Sequence, residues 1–229
     1  MEESELRQRV LLKRKILEEN DQAADRLREQ FASSGTLAVN LISSPGSGKT
    51  ALLEATARRL QGELRLAAVV GDVATELDAD RLRAAGLPSI QISTAGSCHL
   101  DARLVARAVE SGDLPRSDIL FIENVGNLIC PTSFDLGEDA KVALLSVTEG
   151  PDKPVKYTGI FSKAEVVVIT KADLLPHVDF DLELVKERIR MLNPEATLLI
   201  TSAKTGDIEG WCELLAAMSQ AKRGAPAMR

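Results

Sequence analysis

TLAVNLISSPGSGKT, residues 36–50, is the stretch on which the fold turns. Its first half is apolar except for Asn40 and is long enough for a strand buried on both faces. Its second half brings Gly46 and Gly48, then Lys49 and Thr50 at the start of a helical pattern that continues to about residue 61. Strand, glycine-rich loop and helix start, in that order, spell a phosphate-binding loop. Glycines at 46 and 48 let the backbone curl so that successive N–H groups face phosphate oxygens. The helix N-terminus adds its dipole to the same anion site. In this reading Gly46, Ser47, Gly48 and Ala51 line the phosphates, Lys49 bridges the β- and γ-phosphates, and the Thr50 hydroxyl ligates Mg²⁺. Ser43 stands where the usual loop opens on glycine.

Working outward, the same kind of apolar run returns at 65–72, 89–94, 118–125, 141–147, 165–170 and 196–201. Amphipathic stretches lie near 76–85, 99–110, 181–192 and 208–221. Continuous apolar strands joined by helices predict an α/β chain with a doubly wound, mostly parallel sheet of about seven strands, a P-loop NTPase. Residues 35–221 make that domain, and 222–229, carrying Gly, Pro and charge, read as a flexible tail. In front, 1–34 form a charged helical arm with Val10, Leu17, Ala24 and Phe31 on one heptad row. Two uses of the arm stay open at this point: packing on its own domain, and binding a partner.

Composition narrows the class. With 229 residues, 45% hydrophobic and 27% charged, the chain is ordinary for a globular protein. A formal charge of −6 and 3% aromatics argue against a basic nucleic-acid face or a base-stacking platform. No apolar run approaches a membrane span, and the opening residues MEESELRQRV lack the apolar core of a signal peptide. The 3 cysteines, Cys98, Cys130 and Cys212, are odd in number and widely spaced, which excludes a disulfide framework. A cytoplasmic protein with free thiols is expected.

Two strand ends speak to the base. Thr170-Lys171-Ala172-Asp173 and Thr201-Ser202-Ala203-Lys204 resemble the base-recognition elements of GTPases, Asn-Lys-x-Asp and Ser-Ala-Lys. A carboxylate at Asp173 accepts from guanine N1–H and the 2-amino group, which adenine does not offer in that form. Lys171 lays its methylenes along the base plane, and the Ala203 N–H donates to O6. Ser202 and Lys204 complete the set. Thr170 in place of Asn is expected to weaken one supporting hydrogen bond. Two further strand ends carry acids: Asp72, and Glu123 in Glu123-Asn124-Val125-Gly126. The latter resembles the Asp-x-x-Gly element of GTPases, with the Gly126 N–H free to turn toward a γ-phosphate. Asp72 and Glu123 are therefore expected to coordinate Mg²⁺ or orient the attacking water, beside Lys49 as catalytic groups.

Cys98-His99 and Cys130 lie in loops that should leave the carboxyl ends of parallel strands, on the rim that holds the phosphates. Two thiolates and an imidazole suit Ni²⁺ or Zn²⁺. Three ligands leave such a site incomplete, so a water, another side chain or a second subunit must finish it. Cysteine is also a common small buried residue, and the adjacency of His99, one of 2 histidines, is what tips the reading toward a metal. Cys212 reads as core or helix surface, and His177 as solvated.

Taken together these motifs closely resemble the hydrogenase nickel-incorporation GTPases, the HypB family of the SIMIBI class. The likeness runs from about Leu37 to Ile208. It rests on residues 40–50, on Cys98-His99, on Glu123 through Pro131, and on Lys153-Pro154-Val155-Lys156-Tyr157. This family writes its loop with serine at the Ser43 place. The resemblance implies a GTP-hydrolysing metallochaperone that cycles between GTP and GDP and loads nickel into a [NiFe]-hydrogenase large-subunit precursor. It also implies a HypA-type accessory partner, a homodimer in the GTP-bound state, and a metal site of Cys98, His99 and Cys130 at the dimer interface. Some members carry an amino-terminal Cys-x-x-Cys-Gly-Cys motif or a histidine-rich stretch; the arm here has neither cysteine nor histidine, so neither function is expected. Lys153 and its surroundings are a candidate moving element. Competing readings are a signalling or assembly GTPase with structural thiols, a nucleotide kinase, and a urease-type nickel GTPase. The last places a proline between Cys and His, which Cys98-His99 lacks.

Overall fold

The computed structural model describes residues 2–72, 76–94 and 96–224, without the side chains of residues 1–13 and 72. Helix α1 spans Glu2–Ser34 and leads into strand β1, Leu37–Ser43. Then come α2 (Lys49–Arg59), β2 (Leu66–Asp72), α3 (Leu77–Ala84), β3 (Ser89–Ser93), α4 (Ala102–Glu110) and β4 (Ile119–Glu123). The second half adds β5 (Ala140–Ser146), the short helices α5 (Lys153–Lys156) and α6 (Thr158–Phe161), β6 (Val166–Thr170), α7 (Leu182–Leu192), β7 (Thr197–Ile200) and α8 (Glu209–Gly224).

The strands form one 7-stranded sheet in the order β3-β2-β4-β1-β5-β6-β7, with every named pairing parallel. β1 sits at its centre, between β4 and β5. All strands run the same way, so the loops that leave their carboxyl ends share one rim, where open α/β sheets bind ligands. Alternate residues of β1 show the two-sided winding. Leu37, Val39 and Leu41 face Leu52 and Leu53 of α2, Leu82 of α3 and Trp211 of α8. Ala38 joins the opposite face with Ala24, Leu27 and Phe31 of α1 and Val105 of α4. A third cluster gathers Ile42, Leu145 and Val167 under Phe161 and α7. Strand periodicity of two thus feeds a core on both faces.

Helix α1 is packed against its own domain from Asn20 onward, with Ala23, Ala24, Leu27 and Phe31 buried. α4 begins at Ala102 rather than near His99, because the Asp101 carboxylate caps it, accepting from Leu104 N at 2.8 Å. At the other end α8 reaches Gly224, three residues into the stretch read as tail. Its last turn is tied down by Lys222 on Asp139 (2.5 Å) and Arg223 near Asp118 (3.7 Å). Residues 225–229 lie outside the described residues. Among the described residues no helix is long and apolar enough to cross a membrane.

Candidate nucleotide and metal site

The phosphate loop turns through Gly46 at φ 74° and Gly48 at φ 95°, left-handed backbone that a side chain resists. The Lys49 ammonium donates to Ser43 Oγ at 2.9 Å, so the serine that opens this loop is a partner of its lysine. Thr50 Oγ1 donates to Glu123 Oε1 at 2.8 Å, while Glu123 Oε2 is buried with no hydrogen-bond partner. Burial pushes the Glu123 carboxyl up to about 7, against the pull of Lys49 and the Thr50 hydroxyl. Burial likewise lowers the Lys49 ammonium, and Glu123 opposes it. A buried, unpartnered carboxylate oxygen beside a threonine hydroxyl fits a hard divalent cation such as Mg²⁺. These groups border a cavity of about 520 Å³ that also reaches Asp78, Arg81 and Gly126. Asp72 ends β2 on the same rim, but its side chain lies outside the described residues. Gly126 is needed for close approach: a Cβ there would stand 2.8 Å from Pro45 Cγ and 2.9 Å from its N.

A second cavity of about 260 Å³ adjoins the first, walled by Ala51, Leu52 and Leu174 and bordered by Lys171, Asp173, Ala203 and Lys204. Asp173 is held by Ser202 Oγ, which donates to Oδ1 at 2.6 Å, and Lys204 Nζ lies 3.9 Å from Oδ2. Lys171 adopts φ 59°, alone among the described non-glycine residues in that region, and its ammonium donates to Gly46 O at 2.7 Å. Thr170 Oγ1 donates to Ser47 O at 2.6 Å. The threonine that stands in the place of the usual asparagine thus bonds the phosphate loop through its hydroxyl.

Glu149 lies outside the motifs named above. It accepts from Ser47 Oγ at 2.7 Å and from Ser146 N at 3.0 Å, and lies 3.3 Å from the Lys153 ammonium. Burial raises its carboxyl, but hydrogen bonds from Ser44, Ser146 and Ser47 outweigh that and hold it below the usual range. Lys153 also donates to Ser44 Oγ at 3.1 Å and sits 5.0 Å over the Tyr157 ring. The signal was present in the sequence: Ser146-Val147-Thr148-Glu149 is a capping box just after a strand.

On the same rim, one ligand atom each from Cys98, His99 and Cys130 falls within 4.8 Å of the others. Cys98 Sγ lies 3.6 Å from His99 Nδ1. A hydrogen bond with Cys130 is the main reason the Cys98 thiol is raised, followed by burial. His99 is lowered by burial, and its ring lies 4.0 Å from that of Phe134 at 36°. Asn127 Nδ2 donates to the Cys98 carbonyl (3.4 Å), and Ile129 N donates to Asn127 Oδ1 (2.8 Å). Soft sulfur with an imidazole, partly open to solvent, suits Ni²⁺ or Zn²⁺. Cys212 is buried on α8 and His177 is exposed, both away from this cluster.

Comparisons with known proteins identify the family. The CobW/HypB/UreG nucleotide-binding domain matches residues 37–200. The hydrogenase maturation factor HypB of Escherichia coli (strain K12) is 48% identical over 201 residues, covering 87% of this chain and 69% of its own. The hydrogenase/urease maturation factor HypB of Helicobacter pylori (strain 26695) is 42% identical, covering 85% and 81%. Among solved structures, HypB from Archaeoglobus fulgidus has a TM-score of 0.83 at 41% identity, covering 89% of this chain and 100% of that one. HypB from H. pylori in complex with nickel has a TM-score of 0.84 at 39% identity, covering 90% and 98%.

Proposed function

This chain belongs to the HypB hydrogenase maturation factors, within the CobW/HypB/UreG nucleotide-binding family, and on that premise we propose that it is a GTPase that carries nickel and releases it to a hydrogenase precursor. The observation that carries the reading is the joining of two sites by one loop. Glu123 ends β4 against Thr50 of the phosphate loop, Gly126 abuts Pro45, Asn127 holds the Cys98 carbonyl, and Cys130 follows. A change at the phosphates that moves this segment also moves one thiol relative to the other.

Lys49 neutralises phosphate charge, and the amides of Gly46, Ser47, Gly48 and Ala51 orient the nucleotide. Asp173, Lys171, Ser202, Ala203 and Lys204 select guanine. Thr50 and Glu123, with Asp72, would hold Mg²⁺, which supplies charge compensation at the β- and γ-phosphates. Nickel is cargo, taken by Cys98, His99 and Cys130. Three ligands leave room for a water or a second subunit, and the closing of two protomers on GTP would complete the site. Hydrolysis then loosens the pair and frees the metal to a HypA-type partner in the cytoplasm. The clustering of both thiols with the imidazole favours this over an assembly GTPase with structural cysteines.

Coupling of this kind requires the metal affinity to differ between nucleotide states. We expect Ni²⁺ titrated into the wild type to bind with different affinity in GDP and in a non-hydrolysable GTP analogue, and Cys98→Ala to lose tenfold or more in both. Equal affinities in every condition would overturn the coupling.

A further inference from the structure

We propose that Asn20, on the buried side of α1, is a positioning residue for the metal site, holding in register the two segments that carry its ligands. The inference rests on the reading of Cys98, His99 and Cys130 as nickel ligands and adds to it a residue from outside the rim.

Asn20 is 1% exposed, and its amide is used at both ends. Oδ1 accepts from Ala102 N at 2.9 Å, three residues after His99. Nδ2 donates to Asp135 O at 2.8 Å, five residues after Cys130. One amide group is the smallest unit that can donate and accept at once along a fixed plane. It therefore sets the separation of two backbone segments that are otherwise distant in sequence.

The neighbourhood gives those bonds a firm base. Leu100 and Ala102 from one segment and Leu136 from the other are buried with Ala24 and Leu27 of α1. Gly137, at φ 74°, lies so flat on α1 that a Cβ would meet Ala24 O at 2.5 Å and Leu27 Cβ at 2.8 Å. Arg28 of α1 pairs with Asp135 Oδ2 at 2.5 Å, and Asp135 Oδ1 accepts from Gly137 N at 2.8 Å. Between Cys130 and Asp135 the Phe134 ring packs on His99, so a shift of the second segment reaches the imidazole as well as the thiol. Without Asn20, the Ala102 N–H at the start of α4 and the Asp135 carbonyl both lose their buried partner. Neither hydrogen bond of Asn20 touches the phosphate loop, so nucleotide binding provides an internal control.

Groups that orient metal ligands typically change metal affinity 10–100-fold when removed. The full chain would be titrated with Ni²⁺ alone, and the thiolate-to-nickel charge-transfer absorption recorded, for wild type, Cys98→Ala, Asn20→Ala, Asn20→Asp and Leu215→Ala. Leu215 is buried in the opposite cluster and reports generic destabilisation. The expected result is a loss of about tenfold or more for Asn20→Ala with a shifted absorption band. Asn20→Asp keeps the acceptor for Ala102 N but sets a carboxylate oxygen against the Asp135 carbonyl, so it should lose Ni²⁺ affinity at least as much as Asn20→Ala. It also carries the test if Asn20→Ala does not fold. GDP affinity should stay within about twofold of wild type in each Asn20 variant, and Leu215→Ala should bind Ni²⁺ normally. Wild-type Ni²⁺ affinity and spectrum in the Asn20 variants would overturn the role of Asn20, as would an equal loss in Leu215→Ala. If wild type itself binds no more Ni²⁺ than Cys98→Ala, the metal reading fails, and this inference with it.

Discussion

Asp173 is the one carboxylate among the residues that line the second cavity, beside Lys171 and Lys204, and Ser202 Oγ at 2.6 Å holds it. That arrangement offers two acceptors and no donor, the complement of the guanine N1–H and 2-amino edge. Replacing it with asparagine converts one acceptor to a donor, which suits the carbonyl that xanthine carries there. Asp173→Asn is therefore expected to cost about 2 kcal/mol, some thirtyfold, in GTP affinity and to gain xanthosine triphosphate. Competition binding with the two nucleotides checks it, and unchanged GTP affinity would refute the base contact. The sequence pattern already pointed to this residue. What it could not supply is the support around it: Thr170 reaching Ser47 O, and Lys171 bent into left-handed backbone to reach Gly46 O, both depend on how closely β6 lies beside the phosphate loop.

At the scale of elements, the ends of the sheet opposite the nucleotide are tied by Asp118, just before β4. It accepts from Arg65 N at 2.9 Å and from the Arg65 guanidinium at 2.7 and 3.1 Å, with Arg223 of α8 at 3.7 Å. Hydrogen bonding from Arg65 is the main cause of a carboxyl held at about 2, below the usual carboxylate range. The sign follows from proton linkage: a depressed acid binds fewer protons folded than unfolded, so its contribution is complete above the unfolded value and is lost as pH falls through the folded one. Stability should therefore decline between about pH 4 and 2. Asp118→Asn should flatten that limb and lower stability at neutral pH by about 1–2 kcal/mol. Urea denaturation of the metal-free protein at several pH values reads both. α4 and α8 illustrate why element ends are hard to place from pattern alone. A cap at Asp101 moved one start, and ion pairs at Lys222 and Arg223 carried the other helix past its amphipathic stretch.

The whole molecule places the phosphate cavity, the base slot and the Cys-His cluster on one rim, with apolar residues left outward around them. Ile129, beside Cys130, is 67% exposed, and Val155, beside the Glu149–Lys153 pair, is 57% exposed. In the function proposed above, a second copy of the chain covers these apolar side chains. Sedimentation with GDP and with a GTP analogue should give monomer and dimer respectively, and Ile129→Glu should hold the analogue-bound protein as a monomer. A dimer unaffected by nucleotide would refute the switch.

Strand-length apolar runs with intervening amphipathic stretches determined the parallel α/β class, because burial on both faces imposes its own pattern on composition. The loop at 43–50 determined phosphate binding, since its chemistry is local to eight residues. Cys98, His99 and Cys130 were legible in the sequence as one candidate site on the rim, but not their spacing; β3 and β4 lie at different places in the sheet, and its order brings their loops close enough for the three ligand atoms to lie within 4.8 Å. The sequence left the use of α1 open, because an amphipathic helix does not declare what its face meets. Tertiary packing decided it: α1 buries its apolar face on its own domain, and Asn20 bridges Ala102 and Asp135, in the segments that follow Cys98-His99 and Cys130.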